Sequence, residues 1–341
     1  MEYGDKHILV LGAGASGIGA SWVLAQVGAH VVLNDYKPVT LPADEEKRLV
    51  SAGVDIITGR QDESLLDGVD RIVISPGISL DIPIVKAAQA RGIDVVSEVE
   101  VAYELSKSPI VAVTGTNGKT TTTTLLTKVL EGTGKPVRVG GNIGDSLSEV
   151  AYSMPTDGFL VAELSSYQLE TIKHFRPIGA IMLNITPDHL ARHKTMENYI
   201  AAKERIFENQ LSTDFMVLNI DDPIVADMKH RVPSHILEIS QHQVVSNGAY
   251  YDKGQCYVTK NGTATPVIGS ADIHIPGSHN IENILTVIAL TYVLGVPAET
   301  IHRIISEFHG VEHRLERVKT IDGITFYNDS KAVSYTHLRA H

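Results

Sequence analysis

Val113-Thr114-Gly115-Thr116-Asn117-Gly118-Lys119-Thr120-Thr121 is the stretch that decides the fold. It follows a short β-branched run at 110–113 and opens a segment with helical spacing, Lys119–Glu131. Backbone N–H groups from Gly115 to Thr120 can wrap a triphosphate, Lys119 can neutralise its β/γ oxygens, and the Thr120 hydroxyl can ligate Mg²⁺. Val113 stands where the strict form of such a loop has its first glycine, while the Gly-Lys-Thr end is intact. A phosphate loop between strand and helix belongs to a parallel α/β sheet.

Upstream, runs of mostly Val, Ile and Leu at 8–11, 31–33, 55–57, 71–74 and 93–96 alternate with helical patterns at 17–27, 43–52 and 84–90. Continuous apolar strands separated by helices predict a complete doubly wound, Rossmann-like domain over 1–98. Directly after its first strand comes Gly12-Ala13-Gly14-Ala15-Ser16-Gly17, a G-x-G-x-x-G that opens a helix, with Asp35 ending the next strand. Such a loop offers N–H groups and helix dipole to a diphosphate, and Asp35 can take a ribose hydroxyl or a base. A glycine-tight turn without ligand is the plainer alternative.

Downstream, strands are expected at 159–162, 180–183 and 215–218, and helices at 280–294 and 298–309. Asn261-Gly262, between 255–260 and 263–268, reads as a hairpin turn, so some antiparallel sheet is expected. These make a central P-loop ATPase-type α/β domain over 99–310. From 311 a third α/β unit begins with a hairpin at 318–321 and 324–327. About thirty residues cannot bury a core of their own, so 311–341 reads as the truncated beginning of a further domain.

Composition narrows the class. The chain has 341 residues, 43% hydrophobic and 20% charged, with a net charge of −11. That balance disfavours binding to bulk nucleic acid, which needs a basic face. Cys256 is the only cysteine, so neither an internal disulfide nor a cysteine-rich zinc site can form. Apolar runs are far shorter than the roughly 18 residues of a membrane span, and the polar start runs straight into a strand without the pattern of a signal peptide. A cytoplasmic location is expected.

Three further positions follow strands or lie nearby. Glu163, in Glu163-Leu164-Ser165-Ser166-Tyr167-Gln168, can place a hard carboxylate beside the phosphates or merely cap the next helix. His189, in Asn184-Ile185-Thr186-Pro187-Asp188-His189, competes with His193 for a site role, and either could be a surface histidine. Lys203 lies on a helical pattern over 196–207 and alone reads as a solvated charge. Two phosphate loops in successive domains favour an ATP-driven ligase acting on a nucleotide-linked substrate. A nicotinamide-dependent oxidoreductase would use only the loop at Gly12.

Taken together, these motifs resemble the Mur ligases of peptidoglycan synthesis. The likeness rests on residues 115–121, Gly140-Gly141-Asn142-Ile143-Gly144, Glu163 to Gln168, Asn184 to His189 with Arg192-His193, the Lys203 helix, His279-Asn280 with Asn283, His313-Arg314, and Asn328-Asp329-Ser330-Lys331. The Gly12 loop and Ser75-Pro76-Gly77 favour the members that add D-glutamate over those that act later, and Asn184 to His189 over the L-alanine-adding member, which stays the alternative. The resemblance implies an ATP-dependent ligase taking UDP-N-acetylmuramoyl-L-alanine, D-glutamate and ATP, as a monomer.

The roles it implies are specific. Asp35, Lys37, Ser75, Pro76 and Gly77 would hold the uridine and diphosphate, with Gly14, Ala15, Ser16 and Gly17 close by. Asn142, Ser165, Ser166, Gln168 and His189 would position the sugar and the reacting carboxylate. Gly115, Thr116, Asn117, Gly118, Lys119, Thr120 and Thr121 would bind ATP, with Asn283 at the adenine, Arg314 at the phosphates and Asp329 at the ribose. Thr120 and Glu163 would hold one Mg²⁺, and His189 with an N-carbamoylated Lys203 a second. Lys331 would face the incoming glutamate. Lys119, His189, Lys203, Arg314 and Lys331 are thus the expected catalytic set. Ala191 stands where the family usually has Asp, and where the family reads Ser-Lys-Ala-Thr-Asn this chain has Ser330-Lys331-Ala332-Val333-Ser334, leading into a tail that reads as a sequencing junction. On this reading the chain binds the uridine nucleotide and turns over poorly or not at all; a non-catalytic nucleotide-binding module is the rival of another class.

Overall fold

In the computed structural model, residues 3–311, 316–321, 324–328 and 330 are described. The first domain alternates β1 (His7–Leu11), α1 (Ala15–Gln26), β2 (His30–Asp35), α2 (Ala43–Ser51), β3 (Asp55–Thr58), β4 (Arg71–Ile74), α3 (Pro83–Ala90) and β5 (Asp94–Ser97). All pairings are parallel, in the order β3-β2-β1-β4-β5. Ile8 and Val10 face Ala20, Leu24 and Leu49 on one side of the sheet. Leu9 and Leu11 face Ile84, Val85 and Ala88 on the other. That two-sided burial is why the strand reads as an unbroken apolar run.

α4 (Glu98–Leu105) carries the chain onward. The central domain continues with β6 (Ile110–Thr114), α5 (Lys119–Glu131), β7 (Val137–Gly141), α6 (Leu147–Ser153), β8 (Phe159–Glu163), α7 (Ser166–Leu169), β9 (Gly179–Met182), α8 (Leu190–His193) and α9 (Met196–Glu204). Then come β10 (Phe215–Asn219), α10 (Pro223–Asp227), β11 (His235–Ser240), β12 (Gly248–Asp252), β13 (Gln255–Lys260), β14 (Thr263–Gly269), α11 (Ser278–Val293) and α12 (Ala298–Ser306). Nine strands form one sheet in the order β14-β13-β12-β11-β10-β9-β6-β8-β7, antiparallel only at β12–β13–β14. The expected turn between β13 and β14 is present, with Asn261 and Gly262 at φ 52° and 78°, the left-handed pair of a two-residue hairpin. β15 (Glu316–Ile321) and β16 (Ile324–Asn328) pair antiparallel, as expected for the third unit.

Both cores lean on α4. Its Val101 joins the first domain's core, while Val99 and Ala102 join the central one. The carboxylate of buried Glu100 accepts the N–H groups of Lys173, His174 and Phe175, and that of Glu98 accepts the Ser146 hydroxyl and the Ser148 N–H. α1 and α6 meet at Gly19, where an added Cβ would fall 2.2 Å from Ser146 Oγ. Trp22, the only tryptophan, packs edge-on against Tyr152 of α6 under the Arg48 guanidinium.

Candidate functional site

In each sheet the strand that leads into a glycine loop has its following neighbours on both sides, β2 and β4 around β1, β8 and β9 around β6. These are switch points, where a crevice opens beyond the C-terminal strand ends.

In the first crevice Gly12 adopts φ 100°, and a Cβ on it would lie 2.8 Å from Ser75 Cβ. Gly17 has no room either, since its Cβ would fall 1.8 Å from the Gly12 carbonyl oxygen. Gly14 caps α1 through its backbone, no side chain covers the first N–H groups of that helix, and Gly14 and Ala15 are exposed with Ser16 half-buried. A helix end left open in this way suits an anion. Asp35 accepts the Ala13 N–H at 3.0 Å and the Lys37 N–H at 3.0 Å. The Ser75 hydroxyl donates to the Gly12 carbonyl at 3.2 Å, with Pro76 and Gly77 at the rim.

In the second crevice Gly115 and Gly118 have φ of 148° and 84°, and a Cβ on Gly118 would meet Asn283 Oδ1 at 2.5 Å. Asn283 is buried on α11 and donates to Asn280 Oδ1. The loop is strapped to the segment after β9. Asn184 accepts the Asn117 N–H at 2.8 Å and donates to the Asn117 carbonyl, while the Thr116 hydroxyl accepts the Thr186 N–H and lies 3.0 Å from the Tyr199 hydroxyl. Lys119 Nζ donates to the carbonyls of Gly115 and Thr116 at 3.1 and 2.8 Å. Thr120 and Thr121 lie in the first turn of α5, whose N-cap Gly118 supplies no side chain.

Glu163 ends β8 and is 1% exposed. Its Oε1 accepts from Asn142 Nδ2 at 2.8 Å, and its buried Oε2 has no hydrogen-bond partner among the described residues. Ser165 and Gln168 form a reciprocal capping box on α7, which engages both side chains. Burial separates the two histidines: His193 is enclosed, its Nε2 2.9 Å from the Ser166 hydroxyl, whereas His189 is exposed, held at φ 53° with its ring 4.9 Å from that of Tyr167.

Lys203 departs most from its sequence-level reading as a solvated charge. It is 2% exposed, with Nζ donating to the Gly115 carbonyl at 2.7 Å. Burial, with neighbouring Lys119, holds its ammonium well below the usual lysine range. Asn184, Thr186 and Tyr199, which hold the phosphate loop, were not singled out from sequence, although two of them lie inside a quoted motif. Arg314, Asp329 and Lys331 lie outside the described residues. Among the described residues no group of three or more His, Cys, Asp or Glu gathers as a metal cluster, and no helix is long and apolar enough to cross a membrane.

Residues 113–291 match the Mur ligase middle domain, and residues 6–97 the Mur ligase MurD-like N-terminal domain. The chain is 45% identical over 334 residues to a UDP-N-acetylmuramoylalanine--D-glutamate ligase of Thermoanaerobacter sp., covering 98% of this chain and 74% of that protein. The likeness to the protein of that name in Halalkalibacterium halodurans is 42%, covering 98% and 73%. The chain thus spans about three quarters of the length of these relatives. Among solved structures, it matches UDP-N-acetylmuramate:L-alanyl-gamma-D-glutamyl-meso-diaminopimelate ligase from Neisseria meningitides with TM-score 0.63 and 21% identity, covering 90% of this chain and 99% of that one. UDP-N-acetylmuramate-alanine ligase from Thermotoga maritima matches with TM-score 0.57 and 23% identity, covering 98% and 76%. Those two likenesses concern the fold.

Proposed function

This chain belongs to the Mur ligase family, and from that premise we propose that it joins D-glutamate to UDP-N-acetylmuramoyl-L-alanine at the expense of ATP, in the cytoplasm. The observation that carries this choice of substrate is the 45% identity, along 98% of the chain, to a ligase named for that reaction. The geometry agrees with it, since two crevices built for phosphates stand in one molecule.

The first crevice takes the uridine diphosphate: the open end of α1 from Gly14 to Gly17 at the phosphates, with Asp35, Lys37, Ser75, Pro76 and Gly77 around the uridine. Asn142, Ser165, Ser166, Gln168 and His189 position the sugar and its alanyl carboxylate. Gly115 to Thr121 bind ATP, with Asn283 at the adenine. Arg314 and Asp329 are assigned to ATP, and Lys331 to glutamate, through the resemblance.

Mg²⁺ fits the residues present, because the partnerless Glu163 Oε2 and the Thr120 hydroxyl are hard oxygen donors. Bound there, the ion would draw charge from the transferring phosphoryl group. His189 and Lys203 would hold a second ion once Lys203 carries a carbamate. An amine whose charged form is disfavoured by burial can, in its neutral form, add CO₂, forming an N–C bond and losing a proton, and so become an anion.

Lys119 then moves from the Gly115 and Thr116 carbonyls to the phosphates. The alanyl carboxylate attacks the γ-phosphorus, giving an acyl phosphate and ADP. The amine of D-glutamate attacks the activated carbonyl, the amide forms, and phosphate and a proton leave. No side-chain nucleophile is needed; positioning and charge neutralisation do the chemistry.

Radiolabelled glutamate incorporation by a version of the chain extended to the full length of its relatives, with L-alanine and diamino acids as competing acceptors, tests the proposal. The expected result is ATP-dependent incorporation of D-glutamate that Lys119→Ala abolishes. Preference for L-alanine, or tight NADH binding with no ATP binding, would overturn it.

A further inference from the structure

We infer that Arg192 is a positioning residue that registers the first domain's uridine loop against the central crevice. The inference rests on the reading of Ser75, Pro76 and Gly77 as a substrate loop. Arg192 lies on α8, yet its Nη1 donates to the Pro76 carbonyl of the other domain at 3.3 Å. Its Nη2 donates to Glu170 Oε2 at 2.6 Å, its Nε lies 3.4 Å from Glu170 Oε1, and its guanidinium stacks 4.6 Å from the Tyr167 ring centroid.

The guanidinium is therefore fixed by a forked carboxylate pair and an aromatic face before it reaches Pro76. What it transmits is the position of α7 and α8. Tyr167 also faces His189, with ring centroids 4.9 Å apart, so one ring braces both the histidine placed at the reacting carboxylate and the arm that crosses domains. At the far end, Ser75 beside Pro76 touches the carbonyl of Gly12. A continuous line of contacts runs from His189 through Tyr167, Arg192 and Pro76 to the first glycine loop. Arg192 has no chemical step to perform; its fork sets where the uridine loop stands relative to the reacting end. Lysine, a single point of charge, cannot hold Glu170 and Pro76 in the same planar geometry.

The test measures the affinities of UDP and ADP for the full chain and for Arg192→Ala and Arg192→Lys, with Trp22 emission reporting whether the domains remain docked. UDP affinity should fall about ten-fold in Arg192→Ala, in line with loss of a hydrogen bond from a charged donor. It should fall less in Arg192→Lys, with ADP affinity and Trp22 emission unchanged in both. Unchanged UDP affinity in either variant with native Trp22 emission would overturn the inference. So would parallel loss of UDP affinity, ADP affinity and native emission, which would make Arg192 a prop for α7 and α8 alone. A parent chain that binds ADP but not UDP would remove the loop assignment itself, and the inference with it.

Discussion

Lys203 shows how one residue's surroundings reverse its meaning. A helical lysine is ordinarily a solvated cation, but here Nζ is enclosed against the Gly115 carbonyl, near Lys119. The folded state therefore sheds its proton more readily than the unfolded chain, whose lysine keeps the ordinary value of 10.5. Between the lowered folded value and 10.5 the unfolded state binds more protons, so stability rises with pH in that window. Denaturant titrations should show the parent gaining on Lys203→Met as pH increases from 7 to 10. A flat difference would place the ammonium in water. Glu163 is the acidic counterpart, with one oxygen held by Asn142 and the other buried and unsatisfied. Its place at a strand end was legible in the sequence, but the vacant lone pairs were not, because they depend on what stays away from the carboxylate.

At the scale of elements, the loop-to-helix joints are closely fitted, with no room for a Cβ at Gly12, Gly17 or Gly118. Gly17 sits in α1 where a methyl group would drive into the Gly12 carbonyl. Gly17→Ala should therefore push the helix from the loop, costing about 1–3 kcal/mol in chemical denaturation and weakening UDP binding more than ADP binding. Such joints were readable because glycine spacing, an apolar run and a helical pattern all agree there, and α5 was placed to the residue. β7, β11 and β12 were not foreseen. Val137-Arg138-Val139-Gly140-Gly141 interleaves charge and glycine, and β12 begins at Gly248 with φ 134°, its Cβ position filled by the Glu238 carbonyl. β7 and β11 form through longer-range pairing with β8 and β10, which no local pattern records, whereas β12 folds back on β13 directly after it, with Asp252 opposite Gln255. Asn283 against Gly118, and Arg192 against Pro76, are contacts of that same long-range kind.

Across the whole molecule, α4 makes the two domains one body. Burial raises the Glu98 carboxyl above the usual glutamate value of 4.5, although the Ser146 and Ser148 groups partly counter this. Above 4.5 the folded state holds that proton more tightly than the unfolded chain, so stability falls as pH rises through the interval. Glu98→Gln should gain on the parent between pH 4.5 and neutrality, and thermal melts across that range check it. Equal pH slopes would mean the seam carries no such strain. A seam of this kind has one more consequence. With α4 shared and α6 seated on α1, the gap between the two glycine loops is set by the protein rather than by its guest. On the proposed reading it would work as a caliper: a nucleotide-linked acid with one unit too many or too few between diphosphate and carboxylate would fill either end, but would leave its reacting group short of, or past, the phosphorus.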